Sequence, residues 1–170
     1  MIPIYEPHFF GNEKKYLKKC IDSNWVSSQG EFINLFEESI RKFHNAKYAI
    51  ATSNCTTGLH LAIKALGIGN GDEVICPDLT FISPANMVAL SGANLVLVDI
   101  HPETLTIHPE MIEDKITDKT KAIIVVHLYG HPCDMDEIAF FAKKNNLFLI
   151  EDCAESTGAK INGVKTGTFG

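Results

Sequence analysis

KAIIVVHLYGHPCDMDEIAFFAKKNNLFLIED, residues 121–152, sets out the architecture in miniature. Two almost purely apolar runs, 121–126 and 147–151, flank a segment at 134–145 whose apolar residues recur at helical spacing. Asp134 stands where an N-cap is wanted. Strands apolar along their whole length belong in a sheet covered on both faces, and helices between them give parallel pairing.

Outward from there the same alternation continues. Strands are expected at 47–52 (KYAIAT), 73–76 (EVIC) and 95–98 (LVLV). Helices are expected at 56–67, ending in Gly67, at 84–92, and as a shorter piece at 109–116 that starts with Pro109. Amphipathic helices at 11–23 and 31–44 precede the first strand. The expected fold class is therefore α/β, a parallel-rich mixed sheet sandwiched by helices. No internal repeat, linker or low-complexity segment interrupts it.

Composition narrows the function classes. The chain has 170 residues, 45% of them hydrophobic and 21% charged, as in ordinary globular domains. A net charge of −6 without a basic block argues against nucleic acid and anionic membrane as partners. Residues 1–20 contain no apolar core of signal-peptide length, and no run approaches a membrane span. Five cysteines, at 20, 55, 76, 133 and 153, form no CxxC pair, so reduced thiols in a cytoplasmic protein are expected.

In parallel sheets ligands sit outside the carboxyl ends of the strands, so the residues after each strand matter most. After 47–52 comes Ser53-Asn54-Cys55-Thr56-Thr57-Gly58. Its amides and the hydroxyls of Thr56 and Thr57 form either a phosphate cradle or an ordinary helix cap. After 73–76 comes Phe81, either a ring on which an aromatic ligand lies flat or a core phenylalanine. Asp152, after the last strand, either pairs with a pyridinium nitrogen or caps the next turn. Glu155 reaches the same ring or completes a capping box. An anion cradle, a stacking ring and a cation partner on one sheet edge are the three things that pyridoxal 5′-phosphate needs.

Three stretches carry a resemblance: residues 53–86 (SNCTTGLHLAIKALGIGNGDEVICPDLTFISPAN), 118–138 (DKTKAIIVVHLYGHPCDMDEI) and 149–159 (LIEDCAESTGA). Together they resemble the DegT/DnrJ/EryC1/StrS family of sugar aminotransferases, pyridoxal-phosphate enzymes of the aspartate aminotransferase fold (type I). The likeness begins at NWVSSQGEFI, residues 24–33, and runs to Gly170. It implies that Thr56 and Thr57 contact the phosphate, that Phe81 stacks on the pyridine ring and that Asp152 pairs with its nitrogen. Glu155 falls near the ring hydroxyl, similar to the choice of perosamine-synthase-like members. Trp25, Ser27 and Ser28 match a loop lining the substrate cavity.

The resemblance also implies a reaction: transfer of an amino group, commonly from glutamate, to a nucleotide-linked 4-keto-6-deoxy sugar in a homodimer. The family's Schiff-base lysine is expected beyond Gly170, so no catalytic residue is assigned within the chain; Lys160 and Lys165 read as parts of an exposed hairpin. The chain is expected to be roughly the first half of a complete enzyme. Residues 1–30 would supply an N-terminal helix and substrate-cavity loop, and 31–170 an incomplete large cofactor-binding domain. Two other functions stay open, a sugar 3-dehydratase of the same family with histidine for the lysine, and a non-catalytic binding fragment.

Two further signals have plain readings. Gly67-Ile68-Gly69-Asn70-Gly71 follows a helix and precedes a strand, the reverse of a dinucleotide fingerprint, and is expected to be a turn. His127, His131 and Cys133 lack a second ligand cluster, so no metal is expected.

Overall fold

The computed structural model describes residues 2–3 and 6–170. The chain forms two compact units, residues 1–51 and 52–170.

The first unit holds helices α1 (Glu13–Asp22) and α2 (Glu31–His44). Tyr16 meets Phe32 with ring centroids 5.0 Å apart, and Lys19 reaches Glu31 at 2.7 Å. Asn45, in the left-handed conformation at φ 52°, ends α2, as asparagine commonly does. Neither helix has a fully buried residue.

The strand expected at 47–52 is not formed. A strand is held by a ladder to a neighbour, and no described segment pairs with this one. The N–H of Ala51 goes instead to the Glu37 carboxylate at 2.8 Å, and Tyr48 and Ile50 stay exposed.

In the second unit the remaining strands appear within a residue or two of expectation: β1 (Glu73–Pro77), β2 (Asn94–Val98), β3 (Thr120–Val126) and β4 (Phe148–Asp152). They lie in the order β2-β1-β3-β4, every neighbouring pair parallel. Among the described residues, antiparallel pairing is confined to a hairpin of β5 (Lys160–Ile161) and β6 (Val164–Lys165), and to an isolated bridge between Ile100 and Ile107. Asn162 and Gly163, both at positive φ, make the tight hairpin turn.

Side-chain alternation splits the core in two. Val74, Cys76, Ala122 and Ile124 point to one face and pack with Ile63 of α3 (Cys55–Ala65) and Val88 of α4 (Ser83–Ser91). Ile75, Ile123 and Val125 point to the other and meet Ile112 of α5 (Glu110–Glu113) and Met135, Ile138 and Ala142 of α6 (Met135–Lys144). On β4, Ile150 belongs to the first face and Leu149 to the second. By the same parity Asp152 follows Ile150, and Glu151 follows Leu149. Asp134 caps α6 as expected, its carboxylate accepting from Glu137 N–H at 3.4 Å.

Candidate functional site

The carboxyl ends of β3 and β4 and the N-termini of α3 and α4 enclose a cavity of about 230 Å³. Cys55, Thr56, Phe81, Ser83, Val126, Leu128, Asp152, Ala154 and Glu155 line it. Four of the five residues expected to hold a cofactor, Thr56, Phe81, Asp152 and Glu155, therefore share one wall although they span a hundred positions of sequence.

Asp152 is buried, with 6% of its surface exposed. Its Oδ1 accepts from Ala154 N–H at 3.0 Å and from the Cys55 thiol at 3.5 Å. Burial first, and then the charge of Asp152, push the Cys55 thiol up to about 11, so it donates a proton and does not share one. Two donors leave this carboxylate with acceptor capacity to spare. The turn-cap role is present in the Ala154 bond, and Asp152 lines the cavity besides.

Phe81 is not a core phenylalanine; 69% of its surface is exposed, in the loop before α4. At the start of α3 the cap belongs to Asn54, whose Oδ1 accepts from Thr57 N–H and whose carbonyl accepts from the Thr57 hydroxyl, both at 2.9 Å. The two threonines are thereby separated. Thr57 is exposed, taken up by the cap and absent from the cavity wall, whereas Thr56 lies in the wall with its hydroxyl 2.7 Å from that of Ser83. The N–H groups of Cys55 and Thr56, at the first two helical positions, have no intrahelical acceptor.

Glu155 is exposed at the cavity, one oxygen accepting from Tyr129 N–H at 2.5 Å. Tyr129 sits in the left-handed region at φ 52°, a cost for a bulky residue that this bond offsets.

Behind the cavity, on the opposite face of β4, lies a network that the strand-end rule did not single out. His127 is fully buried, and its Nδ1 accepts Cys133 N–H at 3.0 Å. The ring proton is therefore on Nε2, directed at Glu151 Oε2, 3.3 Å away. Glu151 also accepts from the N–H groups of Gly167 at 2.8 Å, Phe169 at 2.7 Å and Gly170 at 2.8 Å. Burial works to raise its pKa, but these hydrogen bonds, that of His127 foremost, prevail and hold it below the ordinary value. His127, Glu151 and Cys153 carry ligand-type atoms within 4.8 Å of one another, yet those of His127 and Glu151 are already committed. His131 is exposed and lines a separate open cavity of about 800 Å³ with His101 and His108.

Sequence reading missed Ser83, Cys55, Glu151 and His127. Ser83 left a usable signal, standing two residues after the singled-out Phe81. Glu151 was visible by strand parity alone.

Trp25 and Ser27 line a small cavity of the first unit, about 270 Å³, with Lys19, Cys20 and Ser23; Ser28 does not. Lys160 and Lys165 face each other across the hairpin, and neither lines the cavity of Asp152.

Comparison with known proteins agrees with this fold. The model of the DegT/DnrJ/EryC1/StrS aminotransferase family matches residues 9–170. The GDP-perosamine synthase of Escherichia coli O157:H7 is 51% identical over 169 residues, which are 99% of this chain and 46% of that protein. Among solved structures, an aminotransferase from Psychrobacter cryohalolentis is 42% identical with a TM-score of 0.90, covering 95% of this chain and 41% of that one. The E. coli GDP-4-keto-6-deoxy-D-mannose-3-dehydratase with bound hydrated PLP is 32% identical with a TM-score of 0.91, covering 99% and 44%. The chain spans less than half the length of these relatives.

Proposed function

The chain belongs to the DegT/DnrJ/EryC1/StrS aminotransferase family, and from that premise we propose that the whole protein is a pyridoxal-phosphate-dependent aminotransferase. Its substrate is a nucleotide-linked 4-keto-6-deoxy sugar, its product the 4-amino sugar, and its amino donor glutamate, as in a GDP-perosamine synthase. The observation that carries this reading is the shared cavity, in which a buried carboxylate with unused acceptor capacity, an exposed ring and a helix N-terminus converge.

The residues fit the cofactor. Thr56 and Ser83 offer hydroxyls and Thr56 an unpaired N–H to a phosphate at the positive end of α3. Phe81 offers a ring face to the pyridine. Asp152, nearly out of solvent, would accept a hydrogen bond from a protonated ring nitrogen and so hold the proton there. The bound cofactor supplies an electron sink that lets a proton leave the carbon beside an amine. Glu155, held by Tyr129 N–H at the cavity, would help orient the ring. Thr57 supports the cradle through the Asn54 cap and not by contact.

Residues 1–30 supply the N-terminal helix and a substrate loop carrying Trp25, Ser27 and Ser28, and 31–170 the first part of the large domain. The Schiff-base lysine is supplied from outside this chain, and the whole protein works as a cytoplasmic homodimer. The five cysteines, all unpaired, fit a reducing compartment.

Incubating the whole protein with glutamate and a panel of GDP-, UDP- and dTDP-linked 4-keto sugars tests the reading. New amino-sugar product with one of them is expected; the absence of any product across the panel would overturn it. The likeness to the 3-dehydratase, which matches the fold as closely as the aminotransferase does, supports a second reading. In that case glutamate-dependent loss of the 3-hydroxyl, without nitrogen in the product, would be seen.

A further inference from the structure

We propose that Glu151 is the positioning residue of this site, a buried carboxylate that fixes where its neighbour Asp152 presents its own. The inference rests on Asp152 serving as the partner of the cofactor's ring nitrogen.

Adjacent strand residues project to opposite faces. Asp152 turns toward α3 and the cavity; Glu151 turns away, and its side chain is 3% exposed. An ionised carboxylate has about four acceptor sites, and here four donors fill them. Oε1 takes the N–H groups of Phe169 and Gly170; Oε2 takes Gly167 N–H and His127 Nε2–H.

Those donors come from two directions. His127 is the residue after β3, and its N–H also bonds the Asp152 carbonyl at 3.3 Å. Gly167, Phe169 and Gly170 belong to the segment after the β5–β6 hairpin, which lies close against β4; a Cβ on Gly170 would stand 2.6 Å from the Leu149 carbonyl. One side chain therefore ties the end of β4 to β3 on one side and to segment 167–170 on the other. With both sides tied, the backbone at 151–152 has no freedom to roll, and the Asp152 carboxylate keeps its place in the cavity wall.

Glu151→Gln breaks this selectively. The amide places an NH₂ where an oxygen accepted, so in either orientation it faces two donors. The whole protein, loaded with pyridoxal 5′-phosphate, is compared as wild type, E151Q, D152N and the core control Ile138→Val. In E151Q the pH midpoint of the cofactor's visible absorption band is expected to move by about half a unit or more. Its visible circular dichroism should fall, and kcat should drop about tenfold at nearly constant KM. Ile138→Val should lower the melting temperature and leave all three readouts alone.

An E151Q protein that melts earlier but keeps the wild-type midpoint, dichroism and kcat would overturn the proposal. If E151Q fails to fold, His127→Asn replaces it. The asparagine oxygen can still accept Cys133 N–H, while the donor to Glu151 is lost, and a smaller shift in the same midpoint is expected. A wild-type midpoint there would again overturn the proposal. A D152N midpoint equal to wild type would instead remove the functional reading, and this inference with it; a shift in D152N without one in E151Q removes only the inference.

Discussion

The two faces of the sheet at the end of β4 treat neighbouring carboxylates in opposite ways. Glu151 meets four donors and has no acceptor capacity left; Asp152 meets two and opens on a cavity. Saturation gives a rigid joint. Incomplete satisfaction in a buried place gives a binding group, because an under-partnered carboxylate in low dielectric attracts any positive donor that fits. The difference teaches that burial alone does not mark a functional acid; unspent hydrogen-bonding capacity does.

The strongest way to break the comparison is Glu151→Ala. It leaves a histidine N–H and three backbone N–H groups unpaired, and a loss of about 3–5 kcal/mol is expected in chemical denaturation, as for one partner removed from a buried network. Asp152→Asn should do the reverse. Stability should change by less than about 1 kcal/mol, since the amide oxygen can still accept Ala154 N–H. Turnover of the whole protein should fall about 100-fold, or about 2.7 kcal/mol in the barrier, measured as kcat/KM.

Phe81→Ala sharpens the contrast on the open side. An exposed ring contributes little to folding, so its melting temperature should hold while pyridoxal phosphate affinity drops about tenfold, or about 1.4 kcal/mol, in a fluorescence titration. The smallest effect is acid dependence. The folded-state pKa of Glu151 lies below its ordinary value of 4.5. Its contribution is therefore fully present above about pH 4.5 and is lost as pH falls through the lowered folded-state value. The gap in melting temperature between wild type and E151Q should thus narrow on acidification below that point. A constant gap would show that the carboxylate charge adds nothing.

Much of this was open to sequence reading. Ile75, Ile123 and their neighbours announce buried parallel strands because both faces of each strand must be apolar. Phe81 and Asp152 were singled out because ligands of such sheets sit at strand ends; Thr56 was singled out behind a strand that does not form, yet it lines the same cavity. KYAIAT failed as a strand for a physical reason: its composition is right, but the ladder partner it needs is absent from the described residues. Which of Thr56 and Thr57 lines the cavity turned on Asn54 capping one of them, a choice made by side-chain geometry. His127 and Glu151 were hidden for a similar reason. Their partners lie up to nineteen residues away or across the sheet, where periodicity carries no information.

Cys55 adds one more property to the open face. A thiol pushed up to about 11 by burial and by a neighbouring carboxylate carries on the order of 10⁻⁴ thiolate at neutral pH. Peroxide and alkylating agents attack the thiolate, so this sulfur is chemically quiet although it lines the cavity. Burial first, and then the Asp152 charge beside it, keep this sulfur in its protonated, unreactive form.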